Sequence, residues 1–172
     1  MDVIYAYQKI TLLLTLVMMI SGCVAPQPIT NNTLTMNATN RTGSPELYPN
    51  PQLTPGDILE NNTTVICLVG YTSTVRNVPL SVRKRVFAEY NMTYPQPFGT
   101  YEVDHLIPLE LGGSNDMKNL WFEPDPSFHL KDRTENWLHD QVCEHGMNIS
   151  DAQKAIVDDW YAVYLKIVND TN

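Results

Sequence analysis

Asp104 and His105 stand side by side in an otherwise apolar run, between Val103 and Leu106. Neighbouring side chains on a strand point to opposite faces, so the two cannot simply pair on one surface. Each needs its own partner: a metal, a substrate or a supporting amide. An imidazole with an unperturbed pKa of about 6.5 can accept a proton at neutral pH. A strand built only for packing has no use for such a pair. The stretch from Tyr101 to Leu120, YEVDHLIPLELGGSNDMKNL, continues with a Gly112-Gly113 turn, then Asn115 and Asn119 ahead of a second short strand. This pattern predicts a catalytic hairpin.

The elements around it have their own signals. Glu102 to Leu109 is expected as the first strand and Leu120 to Phe122 as the second. Upstream, Thr64 to Val69 reads as a strand stopped by Gly70. Ser81 to Tyr90 reads as a short helix capped by Ser81, with Val82, Val86 and Phe87 on one face. Downstream, Asp125 is a good N-cap and Pro126 suits the first helical position. That helix should run to about Val142, stop near Gly146 and bury Leu130, Trp137, Leu138 and Val142. Ser150-Asp151-Ala152-Gln153 has the form of a capping box opening a last helix. Its stripe of Ile156, Trp160, Val163, Tyr164 and Ile167 has the spacing of a core face. His139 and His145, late in the first of these two helices and at its exit, read as surface residues or partners of its C-terminal dipole. The expected class is α+β, a β-hairpin followed by a helix with further helices flanking them.

The chain has 172 residues and a formal charge of −8, a length that suits one domain with appendages. Lys9 precedes an apolar run from Ile10 to Ile20, and Ser21-Gly22-Cys23 follows. This predicts a signal peptide over residues 1–22, with a run too brief to span a bilayer comfortably. Small residues before a Cys resemble the lipobox of prokaryotic lipoproteins. That resemblance implies lipidation at Cys23, export to the cell envelope and a membrane anchor; an ordinary signal peptide containing a cysteine is the alternative. With Cys23 set aside, Cys67 and Cys143 remain as a pair that would be oxidised outside the cytoplasm. Such a bridge closes a long loop and contributes roughly 4 kcal/mol in the chain-entropy model; two separate buried thiols are the other reading. Residues 23–56, rich in Pro, Asn and Thr, read as a flexible tether ahead of a folded domain over residues 57–172.

The order strand, turn, strand, helix, with Asp-His on the first strand, resembles the ββα-metal motif of HNH endonucleases. The phrase DHLIPLELGGSNDMKNL is close to that family's wording, and the likeness extends over about residues 65–168. The resemblance implies a metal-dependent endonuclease hydrolysing phosphodiester bonds of DNA, or of RNA, with little sequence preference. In it His105 is the general base, Asn119 orients the base or braces the loop, and Asp104 and His129 hold Mg²⁺ or Mn²⁺, with Zn²⁺ also compatible. Similar proteins often carry an Asn about two residues before His129, where this chain has Ser127, so either position could complete the metal site. The chain also lacks the paired C-x-x-C elements that give many such proteins a structural zinc, a staple that Cys67 and Cys143 could replace.

The acidic total argues against tight or extended nucleic-acid binding. The sign is uneven, however. Arg76, Arg83, Lys84 and Arg85 cluster before the hairpin, with Lys131 and Arg133 on the following helix. Arg76, Arg85 and Lys131 are the expected substrate contacts; a solvated helix face is the plainer reading of Arg83 to Arg85. The competing function is a non-catalytic envelope protein that keeps the scaffold to bind a partner.

Overall fold

The computed structural model describes residues 47–170. The signal peptide, Cys23 and most of the tether lie outside the described residues. Those described form a mixed structure of five helices and one two-stranded antiparallel hairpin. In chain order these are α1 (Thr63–Ile66), α2 (Tyr71–Val75), α3 (Leu80–Glu89), β1 (Tyr101–His105), β2 (Leu120–Pro124), α4 (Ser127–Cys143) and α5 (Ile149–Asp170). Single 3-10 turns at Leu109–Leu111 and Met117–Asn119 shape the long connection between the strands.

Register sets the two faces of the hairpin. Asp104 pairs with Trp121, Glu102 with Glu123, His105 with Leu120 and Val103 with Phe122. Alternation therefore sends Asp104, Glu102 and Glu123 to one face and His105, Val103 and Phe122 to the other. Helix α4 takes the first face, through Lys131 to Asp104 and Ser127 to Glu123. Helix α3 takes the second, where Phe87 and Tyr90 pack on Phe122 at ring separations of 6.2 Å and 5.0 Å. The main apolar core lies between α4, α5 and the connection, built from Leu138, Val142, Ile149, Ile156, Trp160, Ile107 and Leu111. Cys67 and Cys143 are joined as a disulfide, with their Cα atoms 5.7 Å apart, tying the end of α1 to the end of α4.

Several boundaries differ from the sequence expectation for local reasons. The strand expected over Thr64 to Val69 is the helical turn α1, because Asn62 caps it by accepting from the Thr64 amide at 3.0 Å and Ile66 is drawn into the core. Beta-branched propensity loses to that cap and to burial. Helix α3 begins one residue before Ser81, with Pro79 in the capping position and no side-chain cap. Pro126, not Asp125, precedes the first residue of α4. The box expected at Ser150 does not form. Asn148 accepts from the Ser150 amide instead, and Gln153 turns inward to donate to Asn61 and the Leu111 carbonyl. β1 ends at His105 rather than Leu109, and β2 continues to Pro124. The expected start of the domain at residue 57 also falls inside packed structure. Trp160 donates to the Leu47 carbonyl at 2.9 Å, and Thr54, 1% exposed, donates to the Leu120 carbonyl at 2.9 Å.

The Gly112-Gly113 pair has a steric cause. Gly112 has φ +78°, and a Cβ on it would lie 2.0 Å from the Glu60 carbonyl oxygen. At Gly113 a Cβ would lie 1.8 Å from the Ile107 carbonyl oxygen and 2.9 Å from Asn119 Nδ2. Neither neighbour can retreat without opening the connection. Gly113→Ala should therefore cost about 3 kcal/mol of stability in chemical denaturation. A loss under about 0.5 kcal/mol, the usual range for a surface change, would show the connection to be far more yielding than its packing implies.

Candidate functional site

Helix α4 turns a buried stripe toward the rest of the molecule at Ser127, Lys131, Thr134, Leu138 and Val142. The stripe changes chemistry half-way. Its C-terminal half is apolar and meets α5; its N-terminal half is polar because it meets the acidic face of the hairpin. Lys131, with no side-chain exposure, donates to Asp104 Oδ2 at 2.6 Å, to the His105 carbonyl at 2.7 Å and to Glu135. Three acceptors satisfy all three of its N–H groups. Lys131 therefore cannot meet a substrate, and its expected role as a substrate contact is corrected to that of an internal counter-ion.

Four ionisable groups share this site. Burial alone would lift Asp104, but the Lys131 ammonium and its hydrogen bond hold the carboxyl below its ordinary value. Burial would likewise lower Lys131, yet Asp104, Glu135 and Glu123 keep its proton on more firmly than usual. Burial pushes Glu135 up to about 8 against the pull of Lys131. Glu123, fully buried, is pushed well above its ordinary value by the same cause. Its Oε1 accepts from the Ser127 hydroxyl at 2.8 Å, while Oε2 has no donor. A neutral Glu123 resolves that orphan, because its own proton can be donated to the neighbouring Asp104 carboxylate.

His105 lies on the opposite face, 3% exposed. Its Nε2 is 3.2 Å from Asn115 Oδ1. The Asn115 amide is oriented from elsewhere: Nδ2 donates to the Val75 carbonyl at 2.8 Å and Oδ1 accepts from the Asn77 amide at 3.0 Å. Since Oδ1 is the acceptor, Nε2 must carry the hydrogen and Nδ1 the lone pair. Burial lowers the proton affinity of His105 and the Arg76 charge adds to this, while Asp104 and Asn115 oppose it. The imidazole is therefore neutral at pH 7, in one tautomer. Asn115 is what selects it.

Asn119 is fully buried, and its side chain meets only main chain. Oδ1 accepts from Ile107 N at 2.9 Å, and Nδ2 donates to the carbonyls of Ile107 and Ser114 at 2.9 Å each. Of the two roles expected for it, bracing the loop is the one its contacts fill; it is a positioning residue and meets no reacting atom.

A cleft of about 780 Å³ opens beside the hairpin and brings Arg76, Arg83, Tyr94, Phe98, Asp104 and His129 together. Asp104 is 21% exposed there, and His129 is 67% exposed and 3.6 Å from Asp125. Arg85 is exposed but lies outside the cleft wall, as does His105. Arg76 links the two regions, lining the cleft while its charge acts on His105. The residues sequence reasoning missed are Glu123 and Glu135, and Asn115 was named only as part of the hairpin pattern, with no role of its own. The i,i+4 spacing of Lys131 and Glu135 was the available signal for one of them.

Comparison with family models, with curated proteins and with solved structures returned no match.

Proposed function

We propose that this chain is a metal-dependent endonuclease of the HNH type, hydrolysing phosphodiester bonds in DNA or RNA with little sequence preference. The observation that carries the reading is the hairpin pair itself. It joins a buried histidine, neutral and in a single tautomer, to a carboxylate that opens on a cleft walled by two arginines. In this reading His105 is the base for the attacking water through Nδ1, Asn115 holds the ring by its other nitrogen, and Arg76, which lines the cleft and whose charge acts on His105, joins the two regions. Arg76 and Arg83 meet phosphate oxygens at the cleft wall. The donors lining the cleft, carboxylates from Asp104 and Glu102 and one imidazole from His129, suit a hydrated Mg²⁺ or Mn²⁺, which keeps most of its coordination for water and phosphate. Such a cation, when bound, supplies stabilisation of charge on the phosphate and leaving oxygen.

The oxidised Cys67–Cys143 pair accords with an exported protein, and residues 1–23 carry the rest of that localisation, a lipid-anchored place in the cell envelope. A second reading draws on two observations. His105 is almost fully buried outside the cleft wall, and the Asp104 carboxylate is already neutralised by Lys131. Both suit a scaffold that binds a partner without catalysis. Incubation of the disulfide-intact protein with supercoiled plasmid and with RNA, in Mg²⁺ or Mn²⁺ against EDTA, separates the two. Metal-dependent cutting is expected; no cutting of either substrate would favour the binding scaffold.

A further inference from the structure

The disulfide has a third member. His139 lies one helical turn before Cys143 on α4, and its Nε2 is 3.4 Å from Cys143 Sγ. The ligand atoms of Cys67, His139 and Cys143 all lie within 4.8 Å of one another, and all three residues are half-buried. Two thiolates and an imidazole on that scale are a donor set for zinc, which takes sulfur at about 2.3 Å and nitrogen at about 2.0 Å. Glu110 adds an independent observation. Its Oε1 is buried without a hydrogen-bond partner, and His139 is the charge acting on it most strongly. A histidine bound to metal through one nitrogen commonly donates its other ring N–H to a carboxylate. Glu110 is the acceptor that arrangement requires.

We propose that reduction converts this disulfide into a Zn²⁺ site, with Cys67, His139 and Cys143 as ligands, water in the fourth position and Glu110 orienting His139. The balance is simple. A dithiol reductant gives two electrons and two protons to the S–S bond, leaving two thiols and its own disulfide. Zn²⁺ then displaces one proton from each thiol. The metal renews the tie between α1 and α4 that the bond had made. In the oxidised protein the same two sulfurs are unavailable as thiolates, so metal binding is gated by redox state. Nothing here depends on the cleft or on the proposed nuclease activity.

The test uses the purified protein reduced with a phosphine, since a dithiol would compete for metal, and Co²⁺ followed by Zn²⁺ as probes. One equivalent of Co²⁺ should bind the reduced protein with a thiolate-to-cobalt charge-transfer band. Zn²⁺ should displace it, and the thiolate-to-cobalt band should be absent before reduction, whatever metal the cleft takes up. The cysteine variants would lose the staple, so the decisive substitutions are His139→Ala and Glu110→Gln, whose folding can be verified in the oxidised form. Each should weaken Zn²⁺ by about 10-fold or more. Absence of the cobalt band in reduced protein, or Zn²⁺ affinity unchanged in His139→Ala, would overturn the proposal.

Discussion

Lys131→Met should destabilise the protein by about 4 kcal/mol near pH 8, and by clearly less near pH 5. The side chain is wholly buried and its three N–H groups are all used, on Asp104, Glu135 and the His105 carbonyl. Removing one member of a buried ionic group leaves the others uncompensated, which costs about 3–5 kcal/mol. The pH dependence follows from the directions of the shifts. In the wild type, Asp104 is held below its ordinary 3.8, so its contribution is present above that value and lost as pH falls through the lowered one. Lys131 is raised above 10.5, so its contribution is complete at neutral pH and lost only as pH rises through the raised value. Glu135, at about 8, acts in the opposite sense to Asp104: the folded protein keeps a proton that the unfolded chain releases, and stability declines between 4.5 and about 8. Without the ammonium, Asp104 joins Glu135 and Glu123 on that side. All three are then tolerated as neutral acids at low pH and repel as anions at high pH. Denaturation curves at the two pH values read the difference directly. A variant as stable as wild type at pH 8 would mean that the carboxyls are neutral without help from Lys131.

His105→Ala should reduce phosphodiester cleavage by about 10²–10⁴-fold, the range associated with a positioned general base. The ring is held from one side by Asn115 and accepts at Nδ1, so the loss should fall on turnover rather than on substrate affinity. Wild-type activity should also show an acid limb. A base must be unprotonated, and burial lowers this imidazole below its ordinary 6.5. The rate should therefore hold through neutral pH and fall only at pH below 6.5, as the ring takes up its proton. A limb at higher pH would assign the titration to another group.

The parts of this site that were legible in the sequence are those whose chemistry is local. Asp104 and His105 stood out because a charged pair in an apolar strand needs partners, and the double glycine because a turn was needed after them. Cys67 and Cys143 followed from parity once Cys23 was set aside, and the structure joins them. Lys131 was misread because an isolated lysine on a helix is almost always solvated, and nothing in its neighbourhood announces the acids that enclose it. Asp104 lies 27 positions away in the chain, and Glu123 comes from the other strand of the hairpin. The buried face of α4 was only half recognised for the same reason. An apolar stripe finds Leu138 and Val142, but the Ser127–Lys131–Thr134 half is polar by design of the surface it meets. Asn115 was named in the hairpin pattern but given no role, because its significance rests on Val75 and Asn77, 40 and 38 positions upstream. The α1 turn was hidden by residues that favour strands, against a capping Asn62 that acts through a single hydrogen bond.

The central claim is that Asp104 and His105 form a hydrolytic site. It is tested most directly by initial rates of supercoiled-plasmid nicking for wild type and His105→Ala, both folded and disulfide-intact, in Mg²⁺ near neutral pH. The account predicts EDTA-sensitive nicking by the wild type and a loss of at least about 100-fold in the variant. Equal rates in the two proteins, or no nicking by either, would contradict it.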